Sequence, residues 1–160
     1  MKPREDKATE GRANPKGIPY LYGAEKKQAA VTEVRPWVGA NVTVSLLRTK
    51  EELQLVDCSQ GGFSYYPEGP PPDKRDEIVW QEIDRAFSRP VTKSDDTATY
   101  APTQIIADLF REEGYDGILY NSSLADGRNI VLFDIDSAQI ERSYVAYVNS
   151  VEVSFDRRRR

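Results

Sequence analysis

Hydrophobic positions along the chain change period several times, and each change marks an element. Ala24 to Val34 is rich in Ala, Lys, Gln and Glu and predicts a short helix, which Pro36 stops because the residue before a proline is pushed out of the α region. Val42, Val44 and Leu46 alternate with Thr43 and Ser45, the pattern of a half-buried strand, and Leu53 to Cys58 reads as a second strand. Residues 59–76 hold three glycines and four prolines, including Pro70-Pro71-Pro72, and read as a surface loop with polyproline character, a lid or a connector. Val79, Ile83, Ala86 and Phe87 recur at helical spacing and predict an amphipathic helix ending near Pro90. Ser94 to Tyr100 reads as polar loop. Pro102 then suits a first helical turn, Ile105, Ile106, Leu109 and Phe110 form one apolar face, and Gly114 terminates. Ile118–Tyr120 and Ile130–Phe133 predict short strands around a loop with an Asp126-Gly127 turn. The alternation of Val151, Val153 and Phe155 with Glu152, Ser154 and Asp156 predicts a last strand. Helices and strands mix without a regular βαβ rhythm, which predicts an α+β fold.

Length and composition narrow the class. At 160 residues with 39% apolar side chains, near 45% once the ten glycines are added, the chain fits one globular domain. Three parts are expected: an extended polar lead-in over 1–10, the domain over 11–156 and a basic tail over 157–160. No window approaches a membrane span, residues 1–12 do not read as a secretory signal, and a single cysteine, Cys58, fits a reducing cytoplasm. The count of zero histidines removes Ser-His-Asp and Cys-His catalysis and every His-ligated zinc site. No metal site is expected. Net charge is −4, and without Arg157–Arg160 the remainder lies near −8, which argues against nucleic acid as the main partner.

Phosphate-loop and dinucleotide glycine fingerprints are both missing, so a nucleotide would bind by another route. Asp95-Asp96 reads as solvated loop or a cap. Three local oddities remain. Glu33 closes its helix, where a carboxylate faces the negative end of the macrodipole, unless Arg35 or a lysine pairs with it. Asn121-Ser122-Ser123 follows a buried strand, and small polar groups there suit either a turn or the oxygens of ribose and phosphate. Gly11-Arg12-Ala13-Asn14 puts an arginine, with its planar fork, beside a tight turn.

Together these segments resemble the RES domain, a family named for its Arg, Glu and Ser. Gly11-Arg12-Ala13-Asn14-Pro15-Lys16-Gly17-Ile18-Pro19-Tyr20-Leu21-Tyr22-Gly23-Ala24 resembles the opening motif, with the arginine on Arg12 and the Tyr-x-Ala on Tyr22 and Ala24. Ala29 to Pro36 resembles the second, with the glutamate on Glu33. Tyr100-Ala101-Pro102-Thr103-Gln104, followed by Gly114-Tyr115-Asp116-Gly117-Ile118-Leu119-Tyr120-Asn121-Ser122-Ser123, resembles the third, with the serine on Ser122; Asn129 to Phe133 continues the similarity. The resemblance implies a fold like the ADP-ribosyltransferase toxins, a small mixed sheet with flanking helices. It implies a bacterial toxin of a toxin–antitoxin pair that breaks down NAD, with an antitoxin of the Xre helix-turn-helix type as partner.

The implied roles suit the residue types. Cleavage of the nicotinamide–ribose bond passes through an oxocarbenium-like transition state, which a carboxylate stabilises; that is Glu33. Arg12 would pair with a phosphate, Tyr22 would stack on the nicotinamide or its ribose, and Ser122 would hydrogen-bond ribose or phosphate. Tyr20, Arg35, Asn121 and Ser123 are assigned to substrate binding. NAD enters as substrate and inorganic phosphate as a possible co-substrate, with no bound cofactor. The products would be nicotinamide with ADP-ribose-phosphate, or with ADP-ribose if water attacks. The alternative is a protein ADP-ribosyltransferase; a non-enzymatic binding module would be expected to have lost one of the three named residues. A homodimer is compatible with the sequence, and neither membrane nor nucleic acid is expected as a direct partner.

Overall fold

The computed structural model describes residues 7–60, 66–67, 69–90 and 97–153. In chain order the elements are β1 (Leu21–Ala24), α1 (Lys27–Glu33), β2 (Asn41–Thr49), β3 (Leu55–Asp57), α2 (Arg75–Ser88), α3 (Ala101–Glu112), β4 (Gly117–Asn121), β5 (Arg128–Leu132) and β6 (Ala138–Tyr147). Four strands form a mixed sheet in the order β1-β5-β4-β3. β1 and β4 flank β5 antiparallel, and β3 runs parallel to β4. A parallel pair needs a long crossover, and the chain from β3 to β4 supplies it with α2 and α3. Gly117 opens β4 because a Cβ there would lie 2.2 Å from the Val131 carbonyl oxygen.

One face of this sheet carries the helices. Ile118 and Tyr120 of β4 and Val131 of β5 meet Phe87 of α2 and Ala107 of α3, with Ile83, Ile106 and Phe110 packed around them. Burying Phe87 alone contributes roughly 1.5–3 kcal/mol. The opposite face buries Leu21 and Leu132 with Ala138, Leu47 and Leu55, which seats one end of the antiparallel ribbon β2–β6. Because side chains alternate along a strand, Asn129 shares the helix-side face with Val131, and its register partner on β4 is Tyr120.

The α+β architecture is as expected, with helices against a mixed sheet. Several elements differ from the sequence reading. The last strand is β6, and residues 151–153 join no sheet; residues 154–156 lie outside the described residues. Val151, Val153 and Phe155 alternate well, but pairing partners decide a strand, and β2 takes β6. β1 was not foreseen, being four residues held by pairing to β5. The first helix begins at Lys27 and not Ala24, since Leu21–Ala24 is strand. α2 begins at Arg75, inside the segment read as loop, after a short 3-10 turn at Pro72–Lys74; residues 61–65 and 68 of that loop are outside the described set. Thr97–Tyr100 is a 3-10 turn, and Asp95-Asp96 is not described. Of the apolar face read on α3, Ile106 and Phe110 pack against the core as expected, and Ile105 and Leu109 do not. Thr103 and Ala107 complete the inward face, while Ile105 and Leu109 are 69% and 53% exposed.

Candidate active site

The cleft lies where the C-terminal ends of α1 and α2 meet the β4 and β5 strands. It has a volume of about 170 Å³, and its charged walls are Arg12, Arg35 and Glu33; Phe87, Ser88, Pro90, Tyr120, Ser123 and Asn129 also line it.

Glu33 is the last residue of α1, a position that repels a carboxylate. Two donors offset this. Ser122 Oγ donates to Glu33 Oε1 at 3.0 Å, and Asn129 Nδ2 donates to the same oxygen at 2.8 Å. Leu124 N–H in turn donates to Ser122 Oγ at 3.3 Å. Oε1 is therefore the anchored oxygen, and Oε2 takes no hydrogen bond from the described residues. The partner expected for Glu33 was Arg35 or a lysine; strand-end amide and hydroxyl groups fill that place. Glu25, the next carboxylate upstream, is engaged elsewhere: Arg128 donates to both its oxygens at 2.8 and 2.6 Å and holds its pKa below the usual value.

Arg35 follows the helix in a left-handed conformation, with φ of 47°. Helices commonly end with a glycine in that state, and Pro36 steers its predecessor away from the right-handed region. Arg35 N–H closes the turn on Thr32 O at 2.9 Å. A non-glycine residue held there stores about 1–2 kcal/mol of strain, and here its side chain lines the cleft.

Arg12 reaches the cleft from a locked turn. Gly11 N–H donates to Asn14 O at 3.0 Å. The buried Asn14 side chain donates to Thr9 O, Pro15 O and Ile18 O, at 3.0, 3.2 and 2.8 Å. Gln104 of α3 donates to Gly11 O and Asn14 O, at 2.9 and 3.1 Å. A Cβ on Gly11 would stand 2.6 Å from both Asn14 Oδ1 and the Tyr22 hydroxyl oxygen, so only glycine fits. Arg12 Nη1 donates to Ala86 O near the end of α2 at 3.0 Å, and the described residues accept no other hydrogen bond from its guanidinium.

Of the residues assigned from sequence, Arg12, Glu33, Arg35 and Ser123 line the cleft, and Ser122 bonds Glu33. Tyr22 secures the arginine turn: its hydroxyl donates to Asn14 Oδ1 at 2.7 Å and accepts from Ala13 N–H at 3.1 Å. Burial of that hydroxyl pushes its pKa up to about 12; the residue as a whole is 42% exposed and lies outside the cleft lining. Tyr20 lies in the core, its ring 5.1 Å from that of Phe133. Asn121 gives its side-chain amide to Asp84 Oδ2 at 2.8 Å and lies outside the cleft lining. Asn129 and the α2 residues Asp84 and Ser88 were missed. Asn129 sits inside the matched stretch but follows no motif rule, and α2 shows only an amphipathic pattern. Among the described residues, no group of acidic, histidine or cysteine side chains is arranged to hold a metal, and no helix is long and apolar enough to cross a membrane.

A family model described as the RES domain matches residues 1–156. No curated protein matches the chain. Among solved structures, a chain of the crystal structure of the M. tuberculosis MbcT–MbcA toxin–antitoxin complex is similar, with a TM-score of 0.51 and 16% identity over 86% of this chain and 72% of that one. At that identity the likeness shows a common fold.

Proposed function

This chain belongs to the RES domain family, and from that premise we propose that it is the toxin of a toxin–antitoxin pair and that it degrades NAD by cleaving the nicotinamide–ribose bond. The observation that carries this reading is the anchored Glu33 in a cleft also lined by two arginines. A carboxylate oriented in advance stabilises positive charge developing at an anomeric carbon without reorganising during the reaction. Glu33 Oε2 is the oxygen left for that task. Nicotinamide leaves as a neutral base, so no general acid is required, which suits a chain without histidine. Arg12 and Arg35 give a cationic lining within an acidic chain, suited to the pyrophosphate of NAD and to an attacking phosphate. Ser122 keeps Glu33 in place, and Ser123 meets the ligand. Tyr22 supports the Arg12 turn through its hydroxyl.

A protein partner of the Xre helix-turn-helix type would restrain the toxin in the cytoplasm. Val34, Trp37, Val38 and Tyr147 are 60–76% exposed, and the first three flank Arg35 in sequence. Exposed apolar side chains close in sequence to a cleft-lining arginine suit a covering protein. The test is incubation of the pure protein with NAD, with and without inorganic phosphate. Release of nicotinamide is expected, faster with phosphate if phosphate is the acceptor. Intact NAD after long incubation would refute the proposal, and labelled protein in place of a small-molecule product would favour the ADP-ribosyltransferase alternative.

A further inference from the structure

Helix α1, which carries Glu33, does little to fix its own position. It has seven residues, of which Ala29 alone is buried, and it has no side-chain cap, no acidic residue in its first turn and no basic residue in its last. A helix this short gains little from its own hydrogen bonds, so the contacts at its two ends decide where it sits. At its C-terminal end, Ser122 and Asn129 bond Glu33. At its start, Arg128 Nε and Nη2 donate to the two carboxylate oxygens of Glu25 at 2.8 and 2.6 Å, and the Glu25 backbone N–H donates to Arg128 O at 3.0 Å. Arg128 is itself braced from β3, since its Nη1 donates to Asp57 Oδ2 at 2.8 Å. Lys26 also pairs with Asp126, but both side chains are exposed, and such a pair contributes little.

Arg128 and Asn129 are consecutive residues of β5, so their side chains leave opposite faces of the strand. One strand start therefore holds α1 at both ends, with Arg128 on the carboxylate that precedes the helix and Asn129 on the carboxylate that closes it. We propose that Arg128 is a positioning residue for Glu33, acting through the Glu25 fork to set the placement of α1 along its axis and so of the carboxylate against the substrate. This rests on the reading that NAD is cleaved at Glu33. Arg128 is not part of the cleft lining. A bidentate arginine–carboxylate pair fixes direction as well as distance, which a lysine cannot do. The backbone bond from Glu25 to Arg128 persists when the fork is lost, so the helix is displaced and not detached. A reacting group misplaced by about 1 Å costs on the order of 100-fold in rate.

The test measures kcat and KM for NAD, with melting temperatures, in wild type, Glu25→Gln, Arg128→Lys and Asp57→Asn. Glu25→Gln should lower kcat at least about 10-fold with KM little changed, and Arg128→Lys should lose less, because the charge remains without the fork. Asp57→Asn breaks an ion pair of the same arginine while leaving its arm to α1, and should keep kcat near wild type. If Glu25→Gln does not fold, Glu25→Asp, which keeps the charge and shortens the reach, takes its place with the same expected loss. A triad with only a structural role would lower the melting temperature in Glu25→Gln and Asp57→Asn alike and leave kcat of the folded proteins unchanged; that result would overturn the assignment. So would a loss of kcat in Asp57→Asn as large as in Glu25→Gln. A wild type that leaves NAD intact would instead refute the proposed function, and the assignment with it.

Discussion

Asp84 and Asn121 form a closed pair across α2 and β4. Asp84 Oδ1 accepts from the Asn121 backbone N–H at 2.9 Å and Oδ2 from its side-chain amide at 2.8 Å, while Ser88 Oγ donates to Asn121 O at 2.6 Å. Both polar groups of the Asn121 backbone and its side chain are therefore held by one helix. The next residue is Ser122, which bonds Glu33. α2 thus sets the end of β4, and the end of β4 sets the carboxylate. Asp84→Ala should lower kcat by roughly 10- to 100-fold with little change in KM, since a small misplacement of a reacting group carries that penalty. Steady-state kinetics on NAD reads it directly.

Tyr22 and Cys58, together with Tyr120, whose buried hydroxyl is pushed higher still, give the alkaline signature. Burial pushes the Tyr22 hydroxyl to about 12 from 10.0 and the Cys58 thiol to about 12 from 9.0. The native chain then keeps protons that the unfolded chain releases, so stability is undiminished below about pH 9 and declines as pH rises toward 12. Chemical denaturation across that range should show the decline. Tyr22→Phe and an alkylation-proof Cys58→Ala should each flatten part of it.

Cys58 should also be chemically silent. It is 0% exposed and its thiolate is disfavoured, and only the thiolate reacts quickly. A thiol reagent at neutral pH should leave the native protein unmodified and label it fully once denatured.

Arg35 carries a trade between stability and function. Replacing it with glycine relieves the left-handed strain at φ 47°, worth about 1–2 kcal/mol for a non-glycine residue, against the greater freedom glycine gives the unfolded chain. Arg35→Gly should melt no lower than Arg35→Ala, which removes the same side-chain interactions but keeps a Cβ in the left-handed region. The same substitution removes a cation from the cleft lining and should raise KM for NAD on the order of 10-fold, by loss of a charged hydrogen bond. Paired thermal and kinetic measurements separate the two effects.

Much of the fold was legible because its elements carry their own periodicity. α2 and α3 announce themselves through apolar spacing, and β2, β4 and β5 through alternation or short apolar runs. β6 did not, because its ten residues are mostly exposed and a register shift at Leu46/Leu47 interrupts its alternation with β2. β1 is too short to show a period and exists through pairing. At the site, Glu33 was visible as a carboxylate at the wrong helix end, and the RES resemblance picked out Ser122 as a ligand-binding hydroxyl without foreseeing its bond to Glu33. Asn129 and Asp84 were not visible, because their roles depend on which neighbours the sheet and α2 bring to them. On α3, Ile106 and Phe110 face the core and Ile105 and Leu109 do not, so a helical apolar face predicts the helix well and the edge of its buried stripe less sharply.

The central claim is that Glu33 stabilises the cleavage of the nicotinamide–ribose bond. The direct measurement is nicotinamide release from NAD by wild type and by Glu33→Gln, each shown to be folded. The amide keeps the size of the side chain and loses the charge. Release by wild type, with turnover reduced at least about 100-fold in the variant, is the predicted result. Equal release by the two proteins would contradict it.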